Sequence, residues 1–150
     1  MTLRRDAILG AWMLASYVVV DGAARPIARP LGDDAVGYLL YTSDGFMSAQ
    51  LMRRGRPAFD VASTSGGSVE QTVAAAHGYL AYSGPFELDE ATGTLYHHVD
   101  VALLPNWLGG QQVRDGELHD GLLVLSSDVS EEFGTPAKAV LTWRRARGDR

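Results

Sequence analysis

Short segments that alternate apolar with polar residues, and that are rich in β-branched and aromatic side chains, recur along this chain. This pattern is typical of β-strands that have one face on a core. Eight strands are predicted, over residues 10–20, 36–42, 46–52, 79–88, 94–104, 111–118, 122–127 and 137–144. The sequences Ser43-Asp44-Gly45, Asp115-Gly116 and Asp120-Gly121 supply the Asp side-chain bonding and positive-φ glycine of tight turns. Neighbouring strands are therefore predicted to be antiparallel.

One helix is predicted among the strands, from about Ser68 to His77. Ser68 fits an N-cap, Gln71 stands three positions later as in a capping box, and Gly78 ends the segment. Residues 53–67 are rich in Gly, Pro and Ser, and they are predicted to form a surface loop.

The length and composition predict one domain. The chain has 150 residues, of which 46% are hydrophobic and 21% charged, as is usual for a folded domain with one core. No repeat or linker-like break divides it, so we expect a single domain over residues 1–150. Short strands at regular spacing fit either a sandwich or a closed barrel, and the pattern does not choose between them.

Charge and cysteine content narrow the partners and the compartment. The net charge is −5, so a nucleic-acid partner is not expected, and the terminal arginines Arg144, Arg145, Arg147 and Arg150 are interpreted as a solvated tail. No apolar run has the length of a membrane span or a signal peptide, so neither membrane contact nor export is expected. Because the chain has no cysteine, we expect a cytoplasmic location. The oligomeric state stays open, with a homodimer as one alternative.

Several motifs resemble those of the bacterial lipocalin-like domain family. Gly10-Ala11-Trp12 is similar to the Gly-x-Trp opening of lipocalins, and Leu141-x-Trp143-Arg144 has a basic residue where such barrels place one near that tryptophan. The matching central segments are residues 37–42 (GYLLYT), 44–51 (DGFMSAQL), 81–84 (AYSG) and 97–109 (HHVDVALLPNWLG). The resemblance covers nearly the whole chain.

The resemblance implies a mainly β fold, namely a closed or nearly closed antiparallel eight-stranded barrel of the calycin type, with one short helix near residues 68–77. Related barrels serve as binders, cyclases and isomerases of secondary metabolism. An eight-stranded barrel is just wide enough to be filled by side chains or to hold one small ligand. The family pattern has Glu and Ser where this chain has Asp100 and Ala102.

The strand predicted over residues 94–104 holds the side chains best suited to chemistry. Because side chains alternate across a strand, one face carries Tyr96, His98, Asp100 and Ala102, and the other carries His97, Val99, Val101 and Leu103. The second face is the more apolar and would be the inner one in a filled barrel. A barrel that holds a polar ligand would instead turn His98 and Asp100 inward, and we favour this orientation.

With that orientation, the candidate catalytic residues are His98, Asp100 and Arg114. Arg114 would be a buried cation that needs a partner, which Asp100 could supply. His98 could act as general acid or base, since histidine changes charge closest to neutral pH. The candidate ligand-binding residues are Trp12, Leu39, Tyr41, Met47, Leu51, Tyr82, Phe86, Gln112 and Trp143. Core packing is the plainer interpretation of their aromatic and methionine side chains.

Three functions follow from these alternatives. The first is binding of a small hydrophobic or polyketide-like molecule in a barrel cavity, without chemistry. The second is a cofactor-free isomerase or cyclase that uses His98 as acid or base, and the third is a structural or interaction barrel with a filled interior. His97-His98 lacks a third ligand at a suitable spacing, so neither a metal nor a cofactor is expected.

Overall fold

The structure, a computed structural model, describes residues 2–147. The described residues form ten strands, namely β1 (Gly10–Asp21), β2 (Pro26–Ala28), β3 (Val36–Tyr41), β4 (Phe46–Met52), β5 (Tyr79–Asp89), β6 (Thr94–His98), β7 (Val101–Ala102), β8 (Gln111–His119), β9 (Leu122–Ser126) and β10 (Ala137–Arg145). They also form two α-helices, α1 (Arg5–Ile8) and α2 (Val69–His77), and a 3-10 turn at Pro105–Trp107.

Eight of these strands close into one antiparallel barrel. Its order is β1, β3, β4, β5, β6, β8, β9 and β10, and β10 pairs back with β1 from Trp12↔Arg145 to Asp21↔Ala137. The two short strands lie off this circuit, with β2 paired to β1 and β7 paired to β5. The closed barrel confirms the fold that the resemblance implied, and the β1–β10 pairing rules out the sandwich.

All eight predicted strands are present, but one predicted turn is wrong. Asp115 and Gly116 lie inside β8, where they pair with Ser126 and Leu125. A Cβ atom at Gly116 would lie 2.7 Å from the Leu3 side chain. Glycine at this position therefore allows close packing instead of a chain reversal.

Helix α2 confirms the predicted capping box. The Ser68 hydroxyl accepts the Gln71 N–H at 3.1 Å, and the Gln71 side chain accepts the Ser68 N–H at 3.0 Å. Gly78 forms the C-cap. No side chain of α2 is buried, so the helix covers little of the barrel. Neither helix in residues 2–147 is long and apolar enough to cross a bilayer.

The segment before β1 closes one end of the barrel. Leu3 and Ile8 are buried in the main core. Arg5 lies between them, where its backbone N–H donates to the Glu90 carboxylate at 2.8 Å and its guanidinium donates to the Ser43 carbonyl at 3.0 Å. Glu90 belongs to the β5–β6 turn and Ser43 to the β3–β4 turn, so these hydrogen bonds hold the segment against both turns. The pattern did not predict α1, because four residues are too few to show a helical period.

Arg145, on the last strand, binds the same segment through hydrogen bonds. Its guanidinium lies 3.9 Å from the Trp12 ring centroid and donates to the carbonyls of Leu9 and Ala7 at 2.6 and 2.5 Å. The interpretation of the terminal arginines as a solvated tail is therefore wrong for Arg145. The basic residue beside the opening tryptophan is also Arg145, not its neighbour Arg144. Arg150 lies outside the described residues.

The strand predicted over residues 94–104 is broken by a β-bulge. On β5, Phe86 pairs with His97 and Ser83 pairs with Val101. These two pairs are three residues apart on β5 and four residues apart on the other strand, which therefore has one extra residue. The extra residue reverses the alternation of side chains beyond it. Gly84 allows the bulge, because a Cβ atom there would lie 1.9 Å from the His98 carbonyl oxygen.

Replacing Arg145 by Met should lower the free energy of unfolding by roughly 1–3 kcal/mol, because a cation–π contact and two charged hydrogen bonds are lost. Urea unfolding followed by circular dichroism measures this change. Arg144→Met is the matched control, since Arg144 is exposed on the same strand. Equal effects of the two substitutions would contradict the role given to Arg145.

Gly84→Ala should destabilise the barrel by at least about 2 kcal/mol, because the new methyl group would overlap the backbone of the bulge. The thermal midpoint of unfolding reports the loss. Gly22→Ala is the control, since a Cβ atom at Gly22 meets nothing within 4 Å. A Gly84→Ala protein as stable as Gly22→Ala would show that the bulge does not need glycine.

Candidate functional site

A cavity of about 540 Å³ lies inside the barrel. This volume is within the usual range for sites that hold small molecules. Side chains from all eight barrel strands line it, and exposed residues at one rim, Asp128, Ser130 and Glu132, connect it to solvent. The interior is therefore hollow, and the third alternative, a barrel filled by side chains, is wrong.

The buried walls of this barrel cavity are mainly apolar. They include Leu39, Leu51 and Trp143, which were predicted as ligand-binding residues, together with Ala49 and Leu125. Two further predicted residues, Tyr82 and Gln112, contribute polar groups to the lining. The sequence analysis did not select Ala49 or Leu125, although each lies on the apolar face of its alternating strand.

Four other predicted ligand-binding residues do not line the cavity. Trp12, Tyr41, Met47 and Phe86 are buried in the core towards the closed end of the barrel. Tyr41 and Phe86 pack edge to face with ring centroids 4.7 Å apart. The structure thus gives these four side chains the packing role that was the plainer interpretation of such residues.

The imidazole that faces the interior is His97. It is 1% exposed, its Nε2 lies 2.7 Å from the Tyr41 hydroxyl, and its Nδ1 lies 2.9 Å from the Tyr82 hydroxyl. The β6–β8 pairing places it opposite Gln112, and the β5–β6 pairing places it opposite Phe86. Sequence reasoning placed His97 on the apolar face of its strand and missed it as a polar group of the cavity.

Burial and a nearby cation keep His97 uncharged. Desolvation, with smaller contributions from the nearby Arg114 and His98, lowers its pKa from 6.5 to about 3. Burial also raises the pKa of Tyr82 and raises that of Tyr41 well above its usual value. At neutral pH all three groups are neutral, so they act as hydrogen-bonding groups and not as charges.

Arg114 is the one predicted catalytic residue that faces the cavity. It pairs with Leu95 across the β6–β8 ladder, and its guanidinium donates to the Val113 carbonyl at 2.8 Å and to the Gln112 side chain at 3.3 Å. Within residues 2–147, no carboxylate lies within 4 Å of it, so the expected ion pair with Asp100 is absent. Arg114 therefore gives the cavity a positive charge bound only to neutral acceptors.

The expected orientation of His98 and Asp100 is wrong. His98 is on the outer surface, where its Nε2 lies 3.0 Å from the Glu87 carboxylate, and Asp100 is exposed. The inner group on β6 is His97, one residue earlier, and the bulge then brings Ala102 inward and turns Val101 outward. The geometry on which an acid/base role for His98 was based is not present.

The indole nitrogen of Trp143 is a buried polar group without a partner in residues 2–147. Its indole is 1% exposed, and its Nε1 has no hydrogen-bond partner among the described residues. By contrast, the Nε1 of Trp12 donates to the Ile8 carbonyl at 2.8 Å. A buried N–H without an acceptor is costly. This nitrogen is shielded from the cavity as well as from solvent, although other atoms of the Trp143 side chain line the wall.

A second and larger hollow, of about 630 Å³, lies on the outer surface. It is lined by exposed Asp115, Glu117 and Lys138 and by the segment before β1. Its charged side chains are exposed, whereas the barrel cavity has the buried polar side chains of His97 and Tyr82, and so the barrel cavity is the stronger candidate for a ligand site. In residues 2–147, no three His, Asp or Glu side chains are grouped as a metal would require.

The fold and the cavity define a ligand-binding β-barrel, and comparison with known proteins gives its family. The model of the lipocalin-like domain family matches residues 9–146, and the chain belongs to this family. The chain is also 33% identical, over 106 residues, to the 4'-hydroxy-3'-methoxypropiophenone carrier protein ppsC of Aspergillus oryzae. This match covers 66% of the chain and 96% of the carrier protein.

Among solved structures, the fluorescent protein UnaG is similar to this chain, with a TM-score of 0.43 and 15% identity. The match covers 95% of this chain and all of UnaG.

The low pKa of His97 should make the protein less stable in acid. Between the unfolded-state pKa of about 6.5 and the folded-state value of about 3, the unfolded chain binds a proton that the folded chain does not, so stability falls as the pH falls. Urea unfolding at pH 7 and pH 5 should differ by about 2 kcal/mol from this group alone. Above pH 7 the contribution is constant.

His97→Gln should remove this part of the pH dependence, and His98→Gln, on the outer surface next to it, is the control that retains it. The quantity compared is the difference in unfolding free energy between the two pH values. An unchanged difference in His97→Gln would show that His97 is not the group responsible.

Proposed function

We propose that this protein binds a small, mainly apolar aromatic molecule inside the barrel and releases it unchanged, as a carrier. The observation that supports this most directly is the cavity of about 540 Å³, which is open at one rim and lined by buried Trp143, Tyr82 and Leu51. Aromatic and aliphatic walls provide affinity by excluding water, and a few polar groups fix the orientation of the ligand.

The relative from Aspergillus oryzae supports the class of ligand. Its name states that it carries 4'-hydroxy-3'-methoxypropiophenone, a phenyl ketone with one hydroxyl and one methoxy group. A molecule of this kind combines a flat apolar ring with several acceptor oxygens. The cavity offers both an apolar wall and the polar groups of Arg114, Gln112 and Tyr82.

Binding without chemistry fits the geometry better than the alternative, a cofactor-free isomerase or cyclase. The interior imidazole, His97, has a pKa of about 3, which is far from the value that suits a general acid or base at neutral pH. Both of its ring nitrogens also lie within hydrogen-bond distance of tyrosine hydroxyls. It is therefore placed to hold its neighbours in position.

Two further expectations from the sequence belong to this proposal. The absence of cysteine supports a carrier that works in the reducing cytoplasm. A homodimer is proposed only as one alternative for its assembly, and sedimentation equilibrium distinguishes the dimer from a monomer.

Isothermal titration with 4'-hydroxy-3'-methoxypropiophenone should show saturable binding of one molecule per chain. Leu80→Trp should weaken this binding at least tenfold, because Leu80 lines the cavity and the larger indole would occupy part of it. Leu122→Trp is the matched control, since Leu122 is 36% exposed and points away from the interior. Thermal unfolding of both variants checks that they are folded.

Lack of saturable binding to the wild-type protein would contradict a carrier of this ligand class. Binding that Leu80→Trp leaves intact would place the ligand outside the barrel, and the outer hollow would become the site to test.

A further inference from the structure

The hydrogen bonds of His97 determine which proton the cavity offers to a ligand. A neutral imidazole has one N–H donor and one nitrogen acceptor. Both ring nitrogens lie within hydrogen-bond distance of a tyrosine hydroxyl, Nε2 at 2.7 Å from Tyr41 and Nδ1 at 2.9 Å from Tyr82. One tyrosine must therefore donate to His97, and the other must accept from it.

The first arrangement has Tyr82 as the donor. The Nε2–H of His97 would then donate to the oxygen of Tyr41, and the hydroxyl proton of Tyr41 would need another acceptor. Tyr41 is 1% exposed, and its hydroxyl has no other hydrogen-bond partner within residues 2–147. This arrangement leaves a buried donor unsatisfied, which is unfavourable.

The second arrangement has Tyr41 as the donor. Tyr41 then donates to Nε2, the Nδ1–H donates to the oxygen of Tyr82, and the hydroxyl proton of Tyr82 is left over. Tyr82 lines the barrel cavity, so this proton can be satisfied by a molecule inside the cavity. The second arrangement therefore satisfies every buried donor of the three side chains once the cavity is occupied.

We propose that the hydroxyl of Tyr82 forms a donor subsite that selects ligands carrying a carbonyl oxygen over the corresponding alcohols. This inference rests on the proposed function and specifies how the cavity recognises its ligand. A ketone oxygen accepts hydrogen bonds and brings no proton of its own. An alcohol oxygen can also accept from Tyr82, but its own hydroxyl proton then needs a further acceptor. The polar groups beside Tyr82 offer none, because His97 uses both ring nitrogens and Arg114 has only donors.

Nitrogen NMR of the ¹⁵N-labelled wild-type protein tests the first step without any ligand or substitution. At pH 7 the imidazole of His97 should be protonated on Nδ1 and unprotonated on Nε2. The opposite tautomer would overturn the inference, because Tyr82 would then be donating to His97 and not to the cavity.

Competition between a ketone and its alcohol tests the second step. Titration with 4'-hydroxy-3'-methoxypropiophenone and with the alcohol formed by reducing its carbonyl should show at least tenfold tighter binding of the ketone. Tyr82→Phe should bring the two affinities within about threefold of each other. Tyr79→Phe is the matched control, because it also removes a tyrosine hydrogen bond, to Gln50 at 2.6 Å, but lies outside the barrel cavity.

The outcomes separate this inference from the proposed function. If neither compound binds the wild-type protein, the proposed function and the subsite both fail. If both bind with equal affinity, the carrier function stands and the donor subsite is wrong. A ketone preference that survives in Tyr82→Phe would also overturn the role of Tyr82.

Discussion

The pairing of β10 with β1 is the constraint on which the rest of this structure depends. It turns a sheet into a closed barrel, and only a closed barrel has an interior that every strand can line with alternate residues. The contact of Arg145 with Trp12 lies at one end of this pairing, and the same arginine binds the carbonyls of the segment that covers the closed end. Closure of the sheet and closure of the barrel end are therefore stabilised by one side chain. What remains open is the rim at the other end, and the cavity lies beneath it.

Most of the fold could be predicted from the sequence, because it depends on local patterns. The alternation of residues identified all eight barrel strands, and the spacing of Ser68 and Gln71 identified the helix start. The choice of a barrel over a sandwich could not be made from alternation, since both architectures bury one face of each strand. It came from the resemblance to the lipocalin-like domain family, to which the chain belongs.

The candidate site was predicted less well, because the sequence analysis favoured the polar face of residues 94–104 over the more apolar one. Alternation of the apolar face places His97 and Val99 inward, as the structure has them, and the extra residue opposite Gly84 then exposes Val101. A glycine within a strand can indicate such a bulge, and Gly84 was the available signal. The partners of His97 could not be found in this way, because Tyr41 and Tyr82 are distant along the chain and meet it only when three strands are in register. Arg114 and Tyr82 were correctly placed inside because their own strands keep the alternation.

The covered end of the barrel has a kinetic consequence. Because Arg5, Arg145 and the core residues around Ile8 close that end, a bound molecule must leave by the rim through which it entered. A second molecule cannot enter at the closed end and displace the bound one. The cavity must therefore be empty before a new ligand enters. The residence time of one ligand would then limit how often the cavity can be refilled.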